Sequence, residues 1–377
     1  MIIWCHQGRS EDEKERVEHE RRIVSRILTI SRRYRTRRLI GWICLLVLAV
    51  VTAASAPATA GGYHVIKEIP VGGEGGWDYL VADAATRRLY VSHATQVEVL
   101  DIDSGAVVGK IPNTQGVHGI ALAPDLGRGF TSNGRAATVT IFDLKTLATL
   151  GEVPTGKNPD AILFDPATQR VFTFNRGSSD STVINASNGT VVGTIPLGGH
   201  PEFAATDAAG HVYVNLQDKN AVADLDSRKL AVEQQWSLAP GEDPTGMAID
   251  TRNHLLFIGC GNQMMVVMST HDGHVTTTLP IGSGVDANAF DLETGLAFSS
   301  NGEGTLTVIR EDAPDKFHVV ENVKTQKGAR TMALDPKTHD VFLPIAEYGP
   351  APAATKENPR PRPSIKPGTF SIMVLGP

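Results

Sequence analysis

Seven positions of this chain carry groups able to do chemistry and recur about every 40 residues: Asp78, His118, Asp160, Glu202, Thr245, Asp286 and Arg330. Gathered at one place, four carboxylates, an imidazole and a guanidinium could ligate a divalent cation through oxygen and nitrogen, move protons, or hold an anionic group. A second periodic set reads His93, Asn133, Asn175, Leu216, Cys260, Asn301 and Ile345 and would add imidazole and amide ligands. The binding candidates are therefore Asp78, His93, His118, Asp160, Asn175, Glu202, Asp286, Asn301 and Arg330. In an enzyme, Asp78, Asp160, Glu202 and Asp286 would be metal ligands or acid and base groups. His93 and His118 would then transfer protons, and Arg330 would hold an anion. No HExxH, G-x-S-x-G, Walker loop or C-x-x-C-H accompanies them, so no catalytic residue is assigned and no cofactor beyond a divalent cation is implied. A wet polar channel lined by strand-capping residues accounts for the same pattern.

Such groups can converge only if the elements carrying them repeat in space as well as in sequence. The unit from Trp77 to Pro112 holds four short runs rich in Val, Ile, Leu and Tyr: Tyr79 to Ala82, Leu89 to Ser92, Val97 to Ile102 and Val107 to Ile111. Polar turn clusters such as Asp103-Ser104-Gly105 separate them, which predicts a four-stranded antiparallel sheet. Copies follow from His118, Asp160, Glu202, Thr245 and Asp286, and a seventh, incomplete copy begins at Arg330. A sheet with two apolar faces must bury both, and a chain that repeats it can stack the sheets radially. The expected class is all-β: a seven-bladed propeller. The orphan run HVIKEIPV, from His64 to Val71, matches the fourth strand of the other copies and is expected to complete the C-terminal blade. Asp83, Asp165, Asp207, Asp250, Asp291 and Asp335 end the first runs and read as turn formers. Trp77 stands where most copies have a small residue or proline, as a lid on the mouth or as packing between blades.

The expected organisation is a charged region with a signal peptide over residues 1–60 and the propeller over 61–377. Five arginines from Arg32 to Arg38 precede the uncharged run Leu39 to Val51, and Ala58-Thr59-Ala60 follows, the order of a secretory signal. The long n-region suggests either a true start further in or an uncleaved anchor. The apolar run is shorter than the roughly 20 residues of a bilayer span, which favours cleavage and a periplasmic or secreted product. Cys5 and Cys44 would be lost with the signal, leaving Cys260 and no internal disulfide. Residues 1–38 hold 11 Lys/Arg and 6 Asp/Glu, so the remaining chain carries 24 basic and 35 acidic residues, a net −11. That charge opposes nucleic acids and anionic membranes as partners and leaves an unknown protein or small-molecule ligand, with a monomer expected. The Pro-rich segment 349–368 lacks apolar periodicity and reads as an exposed insertion, either a tether or a flap over one face.

The Gly119 to Asp125 segment GIALAPD, the Leu89-Tyr90-Val91 run, the D-x-x-(T/S)-G turns and the T-I-P endings make residues 64–377 resemble the YVTN-type repeat of YncE-like seven-bladed β-propellers. The resemblance implies an exported protein, in a group mostly without an assigned reaction, in which DNA binding has been proposed for one type of member. A binding or scaffolding role follows as the expectation. The alternative is a metal-assisted hydrolase or lyase, because propeller lactonases and streptogramin lyases place their sites at such a channel mouth.

Overall fold

The computed structural model describes residues 62–353, 355 and 363–377. The stretch on which the expected signal peptide falls and the centre of the Pro-rich insertion lie outside the described residues. The unit that begins at Gly61 contains 28 strands in seven four-stranded antiparallel sheets, numbered β1 to β28 in chain order. Among the described residues no helix is long and apolar enough to cross a membrane.

Each blade forms because its turns are chemically encoded. Asp83, which ends β2 (Trp77–Asp83), accepts from the backbone N–H groups of Ala85 and Thr86 and from the Thr86 hydroxyl. Asp165, Asp291 and Asp335 repeat that turn in other blades, which makes the set structural as expected. In the next turn Asp101 accepts from Ser104, and Gly105 takes φ +74, a conformation that glycine adopts without steric cost.

Successive sheets bury apolar faces against each other, giving one core per blade interface. Phe130, Val139 and Ile141 of the second blade meet Val171 and Ile184 of the third. Phe172 and Phe174 on the other face of the third blade meet Val212, Val214 and Leu216 of the fourth. A fully buried side chain of this size contributes about 1.5–3 kcal/mol. The ring closes where β1 (His64–Pro70) pairs antiparallel with β28 (Ser371–Gly376), from His64 opposite Gly376 to Pro70 opposite Ser371, so the N-terminal strand completes the C-terminal blade. Ile69 of β1 is buried in the core shared with Leu80, Leu89 and Phe342.

The innermost strands are bent at one place. In the six complete inner strands the register shifts just past the strand start, as between Trp77 and Leu80 or between Pro159 and Ile162. Such irregularities re-aim side chains, and these fall on Asp78, His118, Asp160, Glu202, Thr245 and Asp286. The seventh inner strand is regular only over Ala333–Leu334, so Arg330 precedes it.

Candidate functional site

The first polar ring is held in place by bonds between neighbouring blades. The Ser132 hydroxyl accepts from Gly119 N–H at 2.8 Å and donates to the carbonyl of Asp160 in the next blade. The Ser300 hydroxyl bonds the Arg330 carbonyl in the same way, and the Asn215 amide bonds that of Thr245. The backbone under each of these ring residues is thereby tied to the preceding sheet.

Asp78, His118 and Asp160, from three consecutive blades, come together. His118 Nδ1 lies 2.6 Å from Asp78 Oδ2 and 3.8 Å from Asp160 Oδ1. One ligand atom from each lies within 4.8 Å of the others. Further round the ring, Glu202 is ion-paired with Arg176 and Asp286 with Arg330. Thr245 turns instead to the backbone, its hydroxyl donating to the Val285 carbonyl at 3.0 Å.

Burial and mutual repulsion govern this ring. Asp160 is pushed up to about 6, first by desolvation and then by Asp78, against the opposing charges of His118, Arg176 and Arg330. Glu202 is raised further, by burial and by Asp160, despite Arg176. Desolvation works against the charged form of His118, but the bond to Asp78 and the charge of Asp160 outweigh it and raise its pKa. Asp160, Glu202 and His118 therefore all hold their protons more tightly than the free side chains do.

The second set does not join this ring. The Asn175 amide is buried and donates to Asp180 and to the Thr182 hydroxyl within its own blade. Asn301 does the same with Thr305 and Thr307, and Asn133 with Thr138 and Thr140. These asparagines tie the second strand to the third. His93 is buried with both ring nitrogens lacking a hydrogen-bond partner, its ring 4.5 Å from Phe370, and burial lowers its pKa.

Beside the ring lies a cavity of about 630 Å³ lined by Gly76, Trp77, Gly302, Lys327, Gly328, Arg330, Tyr348, Pro363 and Ile365. Trp77 stacks on Phe370 at 5.0 Å and lies 6.4 Å from Tyr348, so it packs between blades and also walls the cavity. Gly328 takes φ +92 and lets Tyr348 approach to where a Cβ would sit 2.8 Å from the phenol oxygen. The Pro-rich insertion is more than a tether at its base. Tyr348 and Ile365 form a β-bridge, Gly349 N–H donates to the Ser364 carbonyl at 2.8 Å, and Lys366 pairs with Glu347 at 2.8 Å. That stem forms one wall of the cavity.

Sequence reasoning missed Arg176 and the pair Tyr79 and Phe203, whose rings meet at 4.5 Å from the first and fourth blades and bridge the central channel beside the acids. The signal was present: after the ring position the other blades carry Gly119, Ala161, Gly246, Ala287 and Thr331, and only these two carry an aromatic.

No protein-family model matches the chain, and no curated protein does. Solved structures do. A chain of Kuenenia stuttgartiensis hydrazine synthase superposes with a TM-score of 0.65 at 14% identity, covering 76% of this chain and 96% of that one. A chain of a mitotic checkpoint complex superposes with a TM-score of 0.68 at 14% identity, covering 86% and 95%. At that identity the likeness shows a shared β-propeller fold.

Proposed function

We propose that this chain is an exported, YVTN-type propeller that acts as a binding protein and takes a small organic anion with an aromatic or apolar body at its channel mouth. The observation that carries this reading is the cavity beside the ring. Trp77, Tyr348, Pro363 and Ile365 offer it apolar surface, and Arg330 and Lys327 offer it positive charge. Ligand sites of this size combine such walls with a few placed polar groups. A guanidinium has five donors in a fixed fork, and Arg330 spends Nη1 on Asp286, so a carboxylate can share it.

The test is the fluorescence of Trp77 titrated with aryl carboxylates and with their methyl esters. Carboxylates should bind and esters should not, and Arg330→Gln should weaken binding about tenfold or more, as for loss of a charged hydrogen bond. Equal binding of acids and esters, or of neither, would defeat the reading.

A second reading, metal-assisted hydrolysis or lysis, is favoured by the approach of Asp78, His118 and Asp160 to within ligating range of one centre. There the three residues would hold a divalent cation, which would polarise a carbonyl or activate water. Glu202 and Arg176 stand beside them as a proton-holding acid and a charge clamp.

A further inference from the structure

The fourth blade departs from its siblings at linked positions on the rim opposite the channel mouth. Its second, third and fourth strands are β15 (His211–Leu216), β16 (Ala221–Asp226) and β17 (Ala231–Ser237). Asp224 lies directly opposite Tyr213, and the other blades place Val99, Ile141, Val183, Val267, Val308 and Val374 at that position, all apolar. The side chain of Asp224 is only 7% exposed, so an acid sits where the repeat has core.

The same blade breaks the pattern again in its outer strand. In β17 the register shifts between Asp224 opposite Gln234 and Leu225 opposite Val232, which leaves Glu233 as the extra residue of a bulge. The corresponding extra residues elsewhere are Ile66, Val108, Leu150, Val192, Thr276 and Val320. Glu233 is the one carboxylate among them, and a bulge is a device for re-aiming a side chain. His211 completes the group, its Nδ1 2.9 Å from Asp224 Oδ1.

We propose that His211, Asp224 and Glu233 form a second site, a divalent transition-metal centre of the zinc type, independent of the channel mouth. One ligand atom from each already lies within 4.8 Å of the others. Three protein ligands of mixed nitrogen and oxygen type, with a further position open, is the donor set of exchangeable zinc sites. The open side gives onto a polar cavity of about 600 Å³ whose wall includes His254 and His271, with ring centroids 4.5 Å apart. Burying an acid in place of the repeat's valine costs stability, and a bound cation offsets that cost.

The full chain, stripped of metal with EDTA and desalted, is titrated with ZnCl₂ in a calorimeter. A site is expected that Glu233→Gln weakens at least tenfold and His211→Ala weakens further. Asp224→Val restores the residue type of the sibling blades. It should abolish this binding while leaving the melting temperature of the metal-free protein at or above that of the parent. A channel double variant, His118→Gln with Asp160→Asn, should leave the site intact, so failure here is separable from failure at the mouth. If the parent binds no Zn²⁺, or if Glu233→Gln and Asp224→Val bind it as tightly as the parent does, the assignment is wrong.

Discussion

His118 Nδ1 is hydrogen-bonded across a blade boundary to Asp78 Oδ2 at 2.6 Å, and Asp160 Oδ1 of the following blade lies 3.8 Å from the same nitrogen. Three sheets are thus joined at the mouth, and stability must follow the protons of Asp160, Glu202 and His118. Asp160 and Glu202 bind protons more tightly folded than unfolded, so folding is favoured while they stay protonated in the native state. The unfolded chain releases those protons near pH 4, and stability then falls as pH rises until the native groups ionise too, at about 6 for Asp160. His118, also raised, adds stability at low pH that is lost as pH climbs through its folded value. All three act in one direction. In EDTA, chemical denaturation should show the protein more stable at pH 5.5 than at pH 8 by on the order of 2 kcal/mol from these groups. Asp160→Asn with Glu202→Gln should flatten that slope, and an unchanged slope would show that other groups set it.

The buried asparagines separate structure from site. Asn175→Ala removes two hydrogen bonds and leaves the Thr182 hydroxyl with only the Gly156 N–H, a change expected to cost about 1–3 kcal/mol. Asn301→Ala should cost a similar amount through Thr305 and Thr307. Ligand binding by the folded fraction should be unaltered. A loss of affinity without a loss of stability would return these amides to the site.

The ring and its closure were legible because they rest on periodic signals: an apolar run every ten or so residues, a turn aspartate, and the KEIP ending that pairs with a strand some 300 residues away. The same periodicity misled on Asn175 and Asn301. They share a rim with the channel residues, but they lie on the second strand, where threonines of the third strand compete for their amides. Arg176 and Lys327 were hidden for the opposite reason, since they sit in connections that the repeat does not align. Asp224, Glu233, Tyr79 and Phe203 show where more could have been read. Each is a break in the pattern, and reading the repeat for its exceptions finds them.

Export is tested directly. An epitope-tagged full chain should be recovered outside the cytoplasm with its N-terminus near Gly61. An uncut cytoplasmic product would remove the signal-peptide reading and with it the periplasmic or secreted location.

Closure carries a mechanical consequence. Deleting His64 to Val71 strips the edge of the last blade, leaves one side of β28 unpaired and uncovers the core around Ile69, whose burial alone is worth about 1.5–3 kcal/mol. Because every blade is packed on two neighbours, the loss should lower the midpoint of the whole ring by several degrees, not fray one end. A protein lacking residues 64–71 that melts like the parent would show that the strand contributes nothing.

The binding and metal-enzyme readings of the mouth make opposite predictions about divalent ions. Asp78 and Asp160 crowd His118, and Asp160 and Glu202 are held partly protonated by burial and repulsion. A cation at that point would displace the protons, relieve the repulsion and stabilise the fold by mass action, raising the melting temperature with concentration and reversibly on chelation. The measurement is made on the Asp224→Val background, which abolishes the far-rim site and leaves the mouth as the responsive site. Adding Asp160→Asn and Glu202→Gln should then abolish the shift while the apo protein stays folded, since shape is kept and charge is lost. If Ca²⁺, Mg²⁺, Mn²⁺ and Zn²⁺ all leave the Asp224→Val transition unmoved, the mouth holds no metal, and the cavity walled by Trp77, Tyr348 and Arg330 is its working surface.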